Sequence, residues 1–189
     1  MSIVIDGNIG SGKSTQIQLL DKIGFRTRKE PIEQWPLKQF YEDPSRWAFL
    51  LQMKILESYC TPVEVCIYER CMQSSKDVFW KHLFHSNIVT RAEDSIYKEW
   101  YHRVEWKPDV MIYLRSTPEK CFERIQTRHQ TGDSKISLDY LQKIHSYYED
   151  IHRDYTIDVD DKTPDEIHKE ILSVLKVENA MHILDTHRS

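Results

Sequence analysis

Residues 7–14, GNIGSGKS, set two glycines, a lysine and a serine at the spacing G-x-x-x-x-G-K-[ST]. Glycines at these places let the backbone turn so that successive amides point inward, and a helix starting straight after them adds the partial positive charge of its N-terminus. Such a nest suits a polyphosphate. Lys13 is expected to reach the terminal phosphates and Ser14 to help hold Mg²⁺. Gly7, Asn8, Ile9, Gly10, Ser11, Gly12, Lys13, Ser14 and Thr15 are therefore the expected triphosphate-binding residues. The loop leaves the acceptor open, because GTPases, motor ATPases and small-molecule kinases share it.

Other residues bear on the acceptor. No N-K-x-D motif for reading guanine appears, nor an apolar strand ending in Asp where a switch GTPase needs one. The run VCIYER (65–70) ends instead in Glu69 and Arg70, a carboxylate for the metal and a guanidinium beside it. That pairing suggests transfer to a bound small molecule. Glu30 is the candidate general base: Pro31 holds it in extended backbone, and Trp35 offers a stacking wall. A hydroxyl acceptor loses its proton during phosphoryl transfer, and an ionised carboxylate can take that proton while aiming the oxygen. Lys13 and Arg70 are expected to keep Glu30 ionised.

These residues lie far apart in the chain, so a fold must gather them. Apolar β-branched runs recur as SIVID (2–6), EVCIYE (64–69), DVMIYL (109–114) and YTIDVD (155–160), with FRTRKE (25–30) a weaker fifth. Helical periodicity fills the stretches between them. Alternating strands and helices imply a three-layer α/β fold around a five-stranded parallel sheet, its strands buried on both faces. In such a sheet, ligands collect outside the carboxyl ends of the strands, so residues 30, 69 and 70 are expected to converge on the phosphate loop. Helix starts are expected at Thr117-Pro118-Glu119, Ser137 and Thr163-Pro164, where Glu166 completes a capping box.

The 189 residues are expected to form a single domain, with the last dozen, about 178–189, frayed. No apolar run approaches the roughly 20 residues that cross a bilayer. The N-terminus shows no signal or transit pattern, so a cytoplasmic location is expected. A formal charge of −4 argues against a general nucleic-acid binder, since neutralising a phosphate backbone takes a basic excess. Cys60, Cys66, Cys71 and Cys121 fit neither a zinc site nor a disulfide framework and read as reduced, mostly buried thiols. His82 and His85 read as solvent-facing.

GNIGSGKST, EPIEQW, YEDPSRWAFLLQ, ERC, PDVMIYLRSTPEKCFERIQTR and LDYLQKIHSYYE, in this order and spacing, resemble the deoxynucleoside kinase family from about Ile3 to Asp160. The resemblance implies an ATP-dependent transfer to the 5′-hydroxyl of a deoxyribonucleoside, with Mg²⁺ as cofactor and a homodimer as the assembly. By resemblance, Glu30 is the base and Trp35 a wall beside the nucleoside. Tyr41 meets the sugar 3′-hydroxyl, Gln52 reads the base edge and Phe79 stacks on it. Glu69 and Arg70 serve Mg²⁺ and the 5′-oxygen, Arg124 and Arg128 belong to an arginine-bearing lid at about 124–135, and Asp133 contacts the 3′-hydroxyl. The small residue Ser75, where purine-accepting and deoxycytidine-preferring relatives have an aspartate and thymidine-accepting relatives a small residue, implies a pyrimidine, with room for the methyl group of thymidine.

The chain departs from the family pattern at Gln126 and Gln130, where arginines are usual, at Cys71 in place of serine, and at Asp133 in place of glutamate. Two rival readings share the phosphate loop. A nucleoside monophosphate kinase of the thymidylate type would carry REPGG and DR where this chain has KEPIEQW and ER, and its anionic acceptor calls for extra cations rather than a carboxylate. A catalytically inactive nucleotide sensor has no use for Lys13, Ser14, Glu30, Glu69 and Arg70 together.

Overall fold

The computed structural model describes residues 1–60, 65–128 and 132–184. Strands β1 (Ser2–Asp6), β2 (Thr27–Arg28), β3 (Cys66–Glu69), β4 (Val110–Arg115) and β5 (Tyr155–Asp158) form one parallel sheet in the order β2-β3-β1-β4-β5. In the central register Ile3 stands between Ile67 and Val110.

Side chains alternate across a pleated strand, so each strand feeds two cores. One face carries Ile3, Ile5, Ile67, Ile112 and Leu114, packed against Ile17 and Leu20 of α1 (Lys13–Lys22) and Ile167, Ile171 and Leu175 of α9 (Pro164–Val177). Val4, Tyr68, Met111 and Tyr113 supply the other face. Burying one such aliphatic side chain contributes about 1.5–3 kcal/mol, which is why β1, between its two neighbours and two helical layers, is buried along its whole length. The second layer is built from α2 (Leu37–Glu42), α3 (Pro44–Tyr59), α4 (Met72–Ser74), α5 (Lys81–His85), α6 (Arg91–Val104), α7 (Pro118–Arg128) and α8 (Leu138–Asp150). A π turn, Ser75–Trp80, joins α4 to α5.

The expected helix starts appear as caps: Ser137 accepts from Tyr140 N, and Thr163 forms a reciprocal box with Glu166. Several boundaries differ from expectation. In the run 25–30 only Thr27 and Arg28 form the parallel ladder with β3, while Phe25 makes an isolated antiparallel bridge to Leu184; Pro31 and the turn at Gly24 confine the strand and release Glu30 from it. The fifth strand stops at Asp158, and as an edge strand it exposes Thr156 and Asp158 rather than burying both faces. Over the described part of the expected frayed tail, Ala180 and Ile183 are buried, and Ile183 O accepts from Arg26 N at 3.1 Å. The apolar side chains of that segment cover the edge of the core at Phe25.

Cys66, Cys71 and Cys121 are buried and Cys60 is exposed, all four as free thiols. His82 corrects the expectation of a solvent-facing residue. It is buried, its ring edge-on to Tyr140 at 5.1 Å, since α5 packs that face on α8; His85 remains exposed.

Candidate active site

The carboxyl ends of β1, β2 and β3 open onto one cavity. Its wall brings together Ile9, Gly10, Lys13, Ser14, Glu30, Trp35, Tyr41, Gln52, Glu69, Arg70, Ser75, Phe79, Arg128 and Asp133. The phosphate loop closes one end, while Leu37, Phe40, Leu51, Ile55 and Leu83 make the other apolar.

At the loop end, Gly10 has φ +86, and a Cβ there would stand 2.6 Å from the Cys121 carbonyl oxygen, so only glycine allows both the turn and the approach. Lys13 is buried, and its ammonium donates to the carbonyls of Gly7 at 3.0 Å and Asn8 at 2.8 Å. Burial, aided by the like charge of Arg70, lowers Lys13 to about 8. The Ser11 hydroxyl in the same loop is buried without a protein partner, a donor available to an anion. Ser14 Oγ donates to the Glu69 carboxylate at the mouth of the loop. Two hard oxygen donors beside a phosphate nest fit Mg²⁺, which binds through few protein groups and keeps waters and phosphate oxygens around it. Among the described residues no three His, Cys, Asp or Glu converge as metal ligands, and a nucleotide-bound Mg²⁺ does not require them.

Arg70 and Glu30 form the centre of the wall. Arg70 Nε donates to Glu30 Oε1 at 2.8 Å, with the two side chains only 7% and 13% exposed. The guanidinium also lies over one face of the Phe79 ring, 4.7 Å from its centroid. Burial pushes the Glu30 carboxyl above its ordinary range, with Arg70 and Lys13 pulling it back down. Those cations therefore act on Glu30 in the expected sense, favouring its charged form against the desolvation that burial imposes.

At the apolar end, Gln52 of α3 is buried and accepts from Ser75 Oγ at 3.1 Å. Ser75 and Phe79 sit one wide turn apart in the π segment, whose i to i+5 bonding brings both to the cavity. On the rim, Arg128 grips Asp133 with two hydrogen bonds at 2.9 and 2.8 Å. Gly132 lies flat on the Tyr41 ring: a Cβ there would be 2.3 Å from Tyr41 Cε2.

Arg124 is separated from this group. Although four residues before Arg128, it donates to Ser116 Oγ and to the Val159 carbonyl, both at 3.1 Å, and so faces the end of β5 instead of the cavity wall. Of the expected lid, residues 129–131, Gln130 among them, lie outside the described residues. Sequence reasoning missed three participants. Asp6 and Tyr148 hold Arg70, and Tyr140 lines the cavity. The position of Asp6, a polar residue ending an apolar strand directly before the loop, was the available signal; Tyr148 had none beyond its place in an aromatic helix.

The chain is similar to known proteins over most of its length. The family model described as deoxynucleoside kinase matches residues 3–183. Deoxycytidine kinase 2 of Gallus gallus is 30% identical over 91% of this chain and 81% of its own length. A putative kinase, protein 029R of Invertebrate iridescent virus 3, is 34% identical over 78% of this chain and 80% of its own. Among solved structures, deoxyadenosine kinase from M. mycoides, with dCMP and dCDP bound, superposes with a TM-score of 0.82 at 26% identity, covering 94% of this chain and all of that one.

Proposed function

Because this chain belongs to the deoxynucleoside kinase family, we propose that its cavity holds a deoxyribonucleoside with the 5′-hydroxyl against Glu30 and the outermost phosphate of ATP in the loop at Gly7–Thr15. The observation that carries the reading is the Glu30–Arg70 pair, a buried carboxylate fixed at 2.8 Å by a guanidinium, between the phosphate loop and an apolar pocket. The reaction forms a bond from the 5′-oxygen to the γ-phosphorus and breaks the bond to the bridging oxygen of ADP. Glu30 takes the hydroxyl proton. Lys13 and Arg70 supply positive charge where negative charge gathers on the transferring group. Ser14 and Glu69 would hold Mg²⁺, which when bound offsets the charge of the phosphates.

The other wall residues fit the substrate. Gln52 offers a planar amide to a base edge, Phe79 and Trp35 offer aromatic surfaces, and a stacked base gains about 1–3 kcal/mol. Tyr41 and Asp133 would read the sugar 3′-hydroxyl, and Arg128, which holds Asp133 through two hydrogen bonds, would meet the phosphates from the rim. Arg124, turned toward the end of β5, would meet the donor rather than the acceptor. Ser75 leaves space beside Gln52 and favours a pyrimidine, thymidine or deoxycytidine. A homodimer belongs to the same reading. It is supported by Leu50 on α3 and Ile96 and Trp100 on α6, apolar side chains 44–48% exposed. Among the described residues no helix is long and apolar enough to cross a membrane.

Purified protein with Mg-ATP is expected to phosphorylate deoxynucleosides, thymidine and deoxycytidine above the purines. Phosphate gain only from monophosphates would replace this reading with the monophosphate kinase, and no gain from either class would leave the sensor. A second expectation concerns the rim. Gly132→Ala, at φ +90 and against Tyr41, must shift the ring or the turn, at about 1–3 kcal/mol of local strain. Its deoxynucleoside KM should rise while its ATP KM stays at the parent value; equal changes in both would detach Tyr41 from the sugar.

A further inference from the structure

Arg70 is held from behind by two buried groups with no direct place in the chemistry above. Asp6 ends β1 at 0% exposure, and its Oδ1 accepts from Gly7 N at 2.7 Å, Tyr148 OH at 2.8 Å and Arg70 Nη1 at 3.3 Å. The Tyr148 hydroxyl spends its single proton on Asp6 and so presents a lone pair to Arg70 Nη1, which it also contacts. The guanidinium therefore has Nη1 pinned to Asp6 and Tyr148 and Nε pinned to Glu30.

The backbone agrees with this clamp. Arg70 has φ +63, a region that strains a residue with a Cβ and persists only where surrounding contacts over-determine it. Its amide bonds to Ile5 O at 3.0 Å, tying that strained turn to the strand that ends in Asp6. The Tyr148 ring is meanwhile fixed by packing: it stacks on Tyr113 at 5.6 Å and meets Phe79 edge-on at 6.4 Å. Phenylalanine would fill the same space, so the hydroxyl serves the polar contacts and not the core.

We propose that Asp6 and Tyr148 are positioning residues of the phosphoryl transfer, fixing the Arg70 guanidinium so that Glu30 is held in line with the acceptor hydroxyl. The inference rests on the function proposed above. With Nη1 released, the guanidinium can rotate about its stem, and Glu30 loses a donor of fixed direction. The cost falls on the geometry of attack, where displacement by about 1 Å can slow a reaction by as much as 10²-fold.

Steady-state kinetics of Tyr148→Phe and Asp6→Asn test this against the parent protein. Each variant is expected to lose about 10- to 100-fold in kcat, with both KM values within about threefold of the parent. Placed on Glu30→Gln, Tyr148→Phe is expected to cost several-fold less than it does in the parent, since the base it positions is gone while Arg70 still meets the transferring group. A parent-like kcat in Tyr148→Phe overturns the inference, and so does an undiminished loss in the Glu30→Gln background. Thermal melting identifies a variant that fails to fold, and Asp6→Asn, of nearly unchanged volume, then decides by the same criteria. A parent that phosphorylates no deoxynucleoside overturns the proposed function and this inference together; an active parent with parent-like variants overturns the positioning role alone.

Discussion

Glu30→Gln is expected to turn over deoxynucleoside about 10² to 10⁴ times more slowly than the parent, the range that one positioned general base supplies. Glutamine keeps the shape of the side chain and can still bond to Arg70 through its carbonyl oxygen, so the deoxynucleoside should bind nearly as before. Only the capacity to take the proton is removed. The parent should also lose activity as pH falls, because Glu30 must be deprotonated to act. Burial raises its folded-state value above the ordinary 4.5, so the acid limb should lie above that figure, and it should be absent from the residual activity of Glu30→Gln. Rapid-quench measurement of the transfer step, with binding followed separately by calorimetry, checks both parts. Unchanged turnover, or a loss confined to binding, would take Glu30 out of the mechanism.

Lys13→Met is the second large effect, with turnover expected to fall about 10²- to 10³-fold, as when one preorganised donor to a transition-state charge is removed. Affinity for ATP should weaken too, since the ammonium meets the phosphates in the ground state as well. The fold should tolerate the change. The ammonium is buried and its donors go to two loop carbonyls, while burial already lowers it to about 8. Removing the ammonium ends the desolvation cost that burial imposes on it, which offsets the loss of its two bonds to loop carbonyls. A melting temperature at or above that of the parent, together with lost catalysis, is the expected pair of results. A collapse in stability with catalysis per folded molecule intact would make Lys13 a structural residue.

The clamp on Arg70 gives these two variants a common setting. Lys13, Glu30 and Arg70 act through one another at close range, so their effects should not add. The double variant Lys13→Met with Glu30→Gln is expected to lose less than the product of the single losses, as groups acting on one transition state do.

The phosphate loop was legible because its chemistry is local. Turning the amides inward takes glycines at fixed offsets, and the strand before and helix after are written in adjacent residues. The places of the strands along the chain, the caps at Ser137 and Thr163 and the candidacy of Glu30 and Arg70 were readable for the same reason: hydrophobic period, capping pairs and charge type are properties of short stretches. Contact across long separations is a different matter. Tyr148 lies 142 residues from Asp6 and 78 from Arg70, yet their hydroxyl, carboxylate and guanidinium meet. Arg124 and Arg128 share a helix and a spacing that suggests one role, and the packing of α7 sends one to the end of β5 and the other to Asp133. His82 looked like a surface residue until α5 set it against Tyr140.

The amino-acid sequence by itself determined the fold class, the loop proposed to hold the donor and the chemical types offered to the acceptor, since each depends on residues close together in the chain. Tertiary structure alone decided which charges touch, which are stripped of water and which way each side chain points. Those outcomes depend on how the helices close over the sheet, and the same closure that removes water from Glu30 and Lys13 shifts their protonation and fixes the geometry of the site.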